Sequence, residues 1–174
     1  MKYPFTIVVS ILFGWLIVAC NPASIHSQST IEKQINTLLD SLNLAAATAD
    51  YNTYFGYFAD HAVFMGTDAT ERWTKQEFMQ WALPFFERGK AWHFKSIDRH
   101  IYVNSEGRVA WFDELLDTQM KICRGSGVLT NEHGRWKLQQ YVLSVTVPNQ
   151  ITDTVVRMKQ SIEEVLIQQL DTTK

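Results

Sequence analysis

Arg108-Val109-Ala110-Trp111-Phe112-Asp113-Glu114-Leu115-Leu116-Asp117-Thr118-Gln119-Met120-Lys121-Ile122-Cys123-Arg124-Gly125-Ser126-Gly127-Val128-Leu129-Thr130 is the stretch that decides the fold. It reads as two strands, Arg108 to Asp117 and Met120 to Thr130, joined by a short turn near Thr118-Gln119. Two further strands flank it, Trp92 to Val103 before and Trp136 to Val147 after. Their links, Asn104-Ser105-Glu106-Gly107 and Asn131-Glu132-His133-Gly134, are hairpin connections, so the four strands are antiparallel neighbours.

Upstream the period lengthens. Ser29-Thr30-Ile31-Glu32 has a capping-box pattern, and Ile31, Ile35, Leu38, Leu39, Leu42 and Ala46 follow at helical spacing. Asp50 can cap a short helix through Phe58, and Ala62-Val63-Phe64-Met65 reads as a brief strand. A third helix begins near Thr74, with Pro84 as its kink or stop. Downstream, Pro148-Asn149 ends the last strand, and Ile151, Val155, Met158, Ile162, Val165 and Leu166 mark a closing amphipathic helix. Helices followed by a long curved antiparallel sheet make an α+β domain, with helices covering one sheet face.

The N-terminal end carries a different signal. Phe5 to Ala19 is apolar and uncharged behind Lys2, too short to span a bilayer comfortably and shaped like a signal-peptide core. Ile17-Val18-Ala19-Cys20 resembles the lipobox of bacterial lipoproteins. That resemblance implies cleavage before Cys20, which would carry lipid and anchor the chain without spanning. The expected organisation is a signal peptide over 1–19, a polar tether over 20–28, the domain over 29–148 and a C-terminal helix over 149–174. Asn21 is not the aspartate that retains many lipoproteins in the inner membrane. The expected location is therefore the bacterial cell envelope, on the outer membrane facing the periplasm.

Of the 174 residues, 46% are hydrophobic and 13% aromatic, which excludes disorder. About 150 residues remain after the signal, enough for one core. A formal charge of −2 with scattered lysines and arginines gives no basic stripe, so nucleic acid is not an expected partner. No cofactor motif occurs, and His61, His93 and His133 lack ligand-spaced partners, so neither a cofactor nor a metal is expected. With Cys20 lipidated, Cys123 is the one thiol left and reads as a small buried hydrophobe.

Four segments in order, Tyr57 to Asp68, Thr74 to Phe78, Arg124 to Leu129 and Gly134 to Ser144, resemble the SnoaL-like group of the nuclear-transport-factor-2-like (NTF2-like) superfamily. The resemblance implies a cone-shaped, cystatin-like fold in which the curved sheet wraps the helices around an apolar pocket. It says little about chemistry, because the fold hosts enzymes, binders and assembly modules. Many relatives carry a pocket histidine two residues before the serine of the final strand. Here Val142 stands two before Ser144.

If Thr118-Gln119 is a two-residue loop, Asp117 faces Met120, Leu115 faces Ile122 and Asp113 faces Arg124. Either Asp98 or His100 lies beside Asp113 on the preceding hairpin. One reading makes Asp113 a general base tuned by Arg124 and helped by His100, in a pocket formed by Tyr54, Trp73, Trp81 and Phe85 with Asp98 and Ser144 facing inward. The other makes Asp113 and Arg124 a structural ion pair. The expected function is a lipid-anchored envelope protein that binds a small apolar molecule in the cone. The alternatives are a lyase, isomerase or hydrolase using Asp113, and a dimeric interaction module that joins through the sheet and the last helix.

Overall fold

The computed structural model describes residues 28–172. The signal segment, Cys20 and the tether up to residue 27 lie outside the described residues. Helix α1 (Gln28–Ala47) already includes Gln28, so Ser29 sits inside it rather than at its cap. Its stripe of Ile31, Ile35, Leu38, Leu39, Leu42 and Ala46 is buried as the spacing requires. Helix α2 (Tyr51–Gly56) is capped by Asp50, whose carboxylate accepts the Thr53 N–H. Helix α3 (Lys75–Glu87) starts from a reciprocal capping box between Thr74 and Glu77, and Pro84 lies within it.

Six strands form one sheet: β1 (Phe58–Met65), β2 (Arg72–Thr74), β3 (Lys95–Val103), β4 (Val109–Thr118), β5 (Lys121–Glu132) and β6 (Arg135–Val145). Their order is β2-β1-β6-β5-β4-β3. β3 to β6 form the antiparallel meander, but β1 joins β6 in parallel, so the sheet is mixed. The chain between them, β2, α3 and then β3 to β5, is the long connection that a parallel pair needs. The sequence reading had no β2, because three residues show no period.

Turn chemistry sets the register. Between β5 and β6, His133 and Gly134 both adopt positive φ (53° and 85°), which makes a tight two-residue turn matched to strand twist. Between β4 and β5 the loop is Gln119-Met120 rather than Thr118-Gln119, because Thr118 pairs with Lys121. The Thr118 hydroxyl donates to the Lys121 carbonyl at 2.8 Å and accepts the Met120 N–H at 2.9 Å, which locks the turn. This correction moves every β4–β5 pair by two residues.

Two bulges then reassign the faces. Ser96 pairs with Leu116 but Asp98 pairs with Leu115, leaving Ile97 as the extra residue in β3. Gln139 is the extra residue in β6. On the inner face lie Ala110, Phe112, Glu114 and Leu116 of β4, Cys123, Gly125, Gly127 and Leu129 of β5, and Tyr141 and Leu143 of β6. All but the glycines are buried hydrophobic residues or the single carboxylate Glu114. After Pro148 and a 3-10 turn (Asn149–Ile151), helix α4 (Thr152–Asp171) leaves the domain and buries none of its residues.

Candidate functional site

A cavity of about 170 Å³ opens where the β1–β2 loop, α3, the approach to β3 and the β4–β5 turn converge. Phe64, Trp73, Phe78, Trp81, Trp92 and Phe94 line it with Met120 and Leu143. The rings are arranged in parallel layers. Phe64 lies 3.9 Å from Phe78 at 14°, Trp73 lies 5.7 Å from Phe78 at 1°, and Trp73 stacks on Trp81 at 4.9 Å. Gly66, Thr67, Glu71 and Gln119 complete the wall. The Glu71 carboxylate closes the β1–β2 loop by accepting the Asp68 N–H at 3.2 Å.

Behind the aromatic layer sits a polar group. The Glu114 side chain is 1% exposed and its Oε2 lies 2.8 Å from Arg99 Nη2, while Arg99 Nε–H donates to the same oxygen at 2.9 Å. Tyr141 donates its hydroxyl to Oε1 at 3.3 Å. Arg99 Nη1 reaches out to Asp40 at 2.8 Å and to the Asn36 side chain at 3.2 Å, which ties β3 and β4 to α1. Burial raises the Glu114 pKa above the usual carboxylate range, against the pull of Arg99 and the hydrogen bonds from Ser96 and Tyr141. Burial, and then Glu114, hold the Tyr141 phenol well above its ordinary value. Glu114 does not line the cavity. Tyr141 connects the two, since its ring stacks 5.6 Å from Phe64.

The glycines of β5 make room for this set. A Cβ on Gly125 would come within 2.6 Å of the Tyr141 hydroxyl, and one on Gly127 within 2.7 Å of the Phe112 ring. A second, open groove of about 810 Å³ runs between α2, α3 and β1 past Asn52, His61, Lys75 and Gln76. Its Lys75 ammonium is already held by the Phe58 carbonyl at 2.9 Å and lies 3.5 Å from Asp60.

The SnoaL-like domain profile matches residues 35–148, which cover both the cavity and the polar group behind it. The chain belongs to the SnoaL-like family. This SnoaL-like protein is similar in fold to an NTF2-like protein of unknown function from Pseudomonas putida KT2440, with 14% identity, 70% of this chain and 90% of that chain covered, and a TM-score of 0.59. It is similar to a candidate aromatic ring hydroxylase from Novosphingobium aromaticivorans (13% identity, 71% and 94% covered, TM-score 0.60). It is also similar to the association domain of C. elegans CaMKII (16% identity, 68% and 98% covered, TM-score 0.56). No curated protein matches the chain. At these identities the likeness shows the cystatin-like fold alone.

The SnoaL-like frame divides the residues singled out from sequence. Trp73 and Trp81 line the cavity. Tyr54 is buried core, its hydroxyl hydrogen-bonded to Trp92 and its pKa raised by burial. Phe85 packs on Trp81 at 4.8 Å, and the Arg88 guanidinium lies over its ring, 4.8 Å from the centroid. Asp113, Arg124, His100, Asp98 and Ser144 do not enter the cone. They fall on the outer face, in phase with exposed Trp111 and opposite to buried Glu114. The bulge at Ile97 is the reason on β3: Trp92, Phe94 and Ser96 belong to the inner phase, but Asp98, His100 and Tyr102 do not. Asp113 pairs with His100 and with Ser126, while Arg124 pairs with Leu115 and Ser144, so the Asp113–Arg124 pair does not form. His100 Nδ1 lies 3.7 Å from Asp113 and its Nε2 lies 3.9 Å from Asp98.

Sequence reasoning missed Glu114, Arg99 and Tyr141. The signal was there for Glu114, a carboxylate on the apolar phase of Ala110, Phe112 and Leu116. Cys123 is buried, its sulfur 3.5 Å from the Thr118 hydroxyl, and Trp136 is core, its indole N–H donating to Gln34.

Proposed function

We propose that this protein is a lipid-anchored envelope binder whose aromatic cavity takes one small, flat, largely apolar molecule. The observation that carries the reading is the 170 Å³ space walled by six aromatic rings. An apolar cavity of about 150 Å³ is known to hold one benzene, so the volume suits a single ring with small substituents. Thr67, Glu71 and Gln119 supply the few polar groups that would orient it, and Glu71 accepts a donor such as a phenol or an amine. Asp113 has no part in this site. Glu71 is the carboxylate in the wall itself, and the buried Glu114 lies behind the Phe64–Tyr141 stack. The anchor rests on Ile17-Val18-Ala19-Cys20 behind an uncharged apolar run. Its destination is the periplasmic face of the outer membrane.

Trp73, Trp81 and Trp92 make the cavity self-reporting. Of p-cresol and cyclohexanol titrated against tryptophan emission, p-cresol, the flat ring, should give saturable quenching and cyclohexanol none. Met120→Phe, which fills the space, should weaken it by at least about tenfold. Equal affinity in the filled variant, or no saturable quenching by any ring, would sink the reading. For the anchor, Cys20→Ser should leave precursor that partitions without lipid, and a lipidated Cys20→Ser product rules it out.

A second reading has its own observation. Helix α4 is amphipathic and wholly unburied, which favours a homodimer.

A further inference from the structure

The chain leaves α3 through Gly89, whose φ of 73° turns it across the mouth of the aromatic cavity. Trp92 then fixes the segment, edge-on to Tyr54 and to Phe86 at 5.3 Å each. Trp92 and Phe94 line the cavity, while His93 and Lys95 alternate with them and are exposed. Together with Lys90, these two border an open groove of about 460 Å³. Trp92 and Gln119 line both spaces, so the cavity continues into the groove.

Charge changes sign along this path. Glu71 is the carboxylate of the cavity wall and does not line the groove. In the groove the two ammonium groups of Lys90 and Lys95 meet the one carboxylate of Asp117, which leaves a single net positive charge. Lys95 pairs with Asp117 in the β3–β4 ladder, yet neither lysine side chain has a hydrogen-bond or ion-pair partner among the described residues.

We infer that the groove holds the carboxylate of a hydroxyaryl acid whose ring occupies the cavity. This rests on the cavity reading and narrows its ligand class. A ring that carries one donor and one anion has a single favourable orientation between these ends. Its phenol donates to Glu71, whose carboxylate keeps acceptor sites beyond the one taken by the Asp68 N–H. Glu71 repels the acid group, and Lys90 and Lys95 attract it, with the Gln119 amide at the junction as a further donor. The charge balance also sets the kind of acid. A monoanionic carboxylate matches one net positive charge, whereas a phosphate ester carries nearly two negative charges at neutral pH and would meet Asp117 uncompensated. Because both lysines are exposed to water, each contributes about threefold to affinity and the pair about tenfold.

Calorimetric titration of the full chain in mild detergent tests this with three small probes. 4-Hydroxyphenylacetate is p-cresol with a carboxylate on its methyl carbon, and tyramine ends its side chain in an ammonium instead. The acid should bind about tenfold more tightly than p-cresol, and tyramine no more tightly than p-cresol. Lys90→Gln combined with Lys95→Gln should bring the acid down to the level of p-cresol and leave p-cresol itself unchanged. Met120→Phe should weaken both. An acid no tighter than p-cresol, a gain that survives the double lysine variant, or acid binding untouched by Met120→Phe overturns the assignment. Saturable p-cresol binding without any gain for the acid removes the groove assignment alone. Binding of neither compound removes the cavity reading and the groove assignment with it.

Discussion

Two side-chain pairs cross from β3 to β4 one residue apart, the Arg99–Glu114 ion pair on the inner face and the His100–Asp113 contact on the outer. The inner side chains are 6% and 1% exposed and the outer ones 55% and 45%. Inside, three partners converge on one carboxylate and the arginine is fixed to α1. Outside, the closest approach is 3.7 Å and both side chains are about half exposed. Equal pairing on one ladder therefore gives a structural anchor on one side and a solvated patch on the other. Burial decides which residue matters, not residue type or sequence proximity.

The largest effect that would break this contrast is at Arg99. Arg99→Met leaves the Glu114 carboxylate buried without its counter-charge, and should cost about 3–5 kcal/mol in urea unfolding near pH 8. The loss should shrink toward pH 5. The Glu114 pKa is already raised by burial, and without Arg99 it rises further, so its favourable share is complete below the unfolded value and is lost as pH climbs through the folded one. A deficit that grows on acidification would contradict the buried-pair account.

A middle-sized effect sharpens the same contrast on β5. Gly127→Ala places a Cβ 2.5 Å from the Gln140 carbonyl oxygen and against Phe112, so strand or ring must move, at about 1–3 kcal/mol. Ser126→Ala, one residue away on the outer face, should stay within about 0.5 kcal/mol. Similar losses at both would mean that the cone interior has slack.

The smallest effects are outside. His100→Ala and Asp113→Ala should each change stability by less than about 0.5 kcal/mol, and Asp113→Ala with Arg124→Ala should add without coupling. A measurable Asp113–Arg124 coupling energy would restore the register that the Thr118 turn excludes.

The faces explain what the sequence could show. Caps and periods are local, so Asp50, Thr74 with Glu77, the α1 stripe and the four long strands were legible, as were Trp73 and Trp81 near the opening. A one-residue bulge leaves no compositional mark, yet Ile97 inverts the side of everything after it, which sent Asp98 and His100 to the wrong face. The β4–β5 register hung on whether Thr118 belonged to the strand or the turn, and its hydroxyl decides that only in three dimensions. Glu114 shares its strand phase with Ala110, Phe112 and Leu116, but its partners Arg99 and Tyr141 lie 15 and 27 residues away and meet it only in the folded sheet.

The same bulge also shapes how the molecule meets others. β3 is one margin of the sheet and β2 the other, and a bare margin is a template on which further strands can add. Ile97 interrupts the hydrogen-bonding row on β3, and β2 offers only three residues. Neither margin presents a long unbroken ladder, so the sheet resists growth into fibrils.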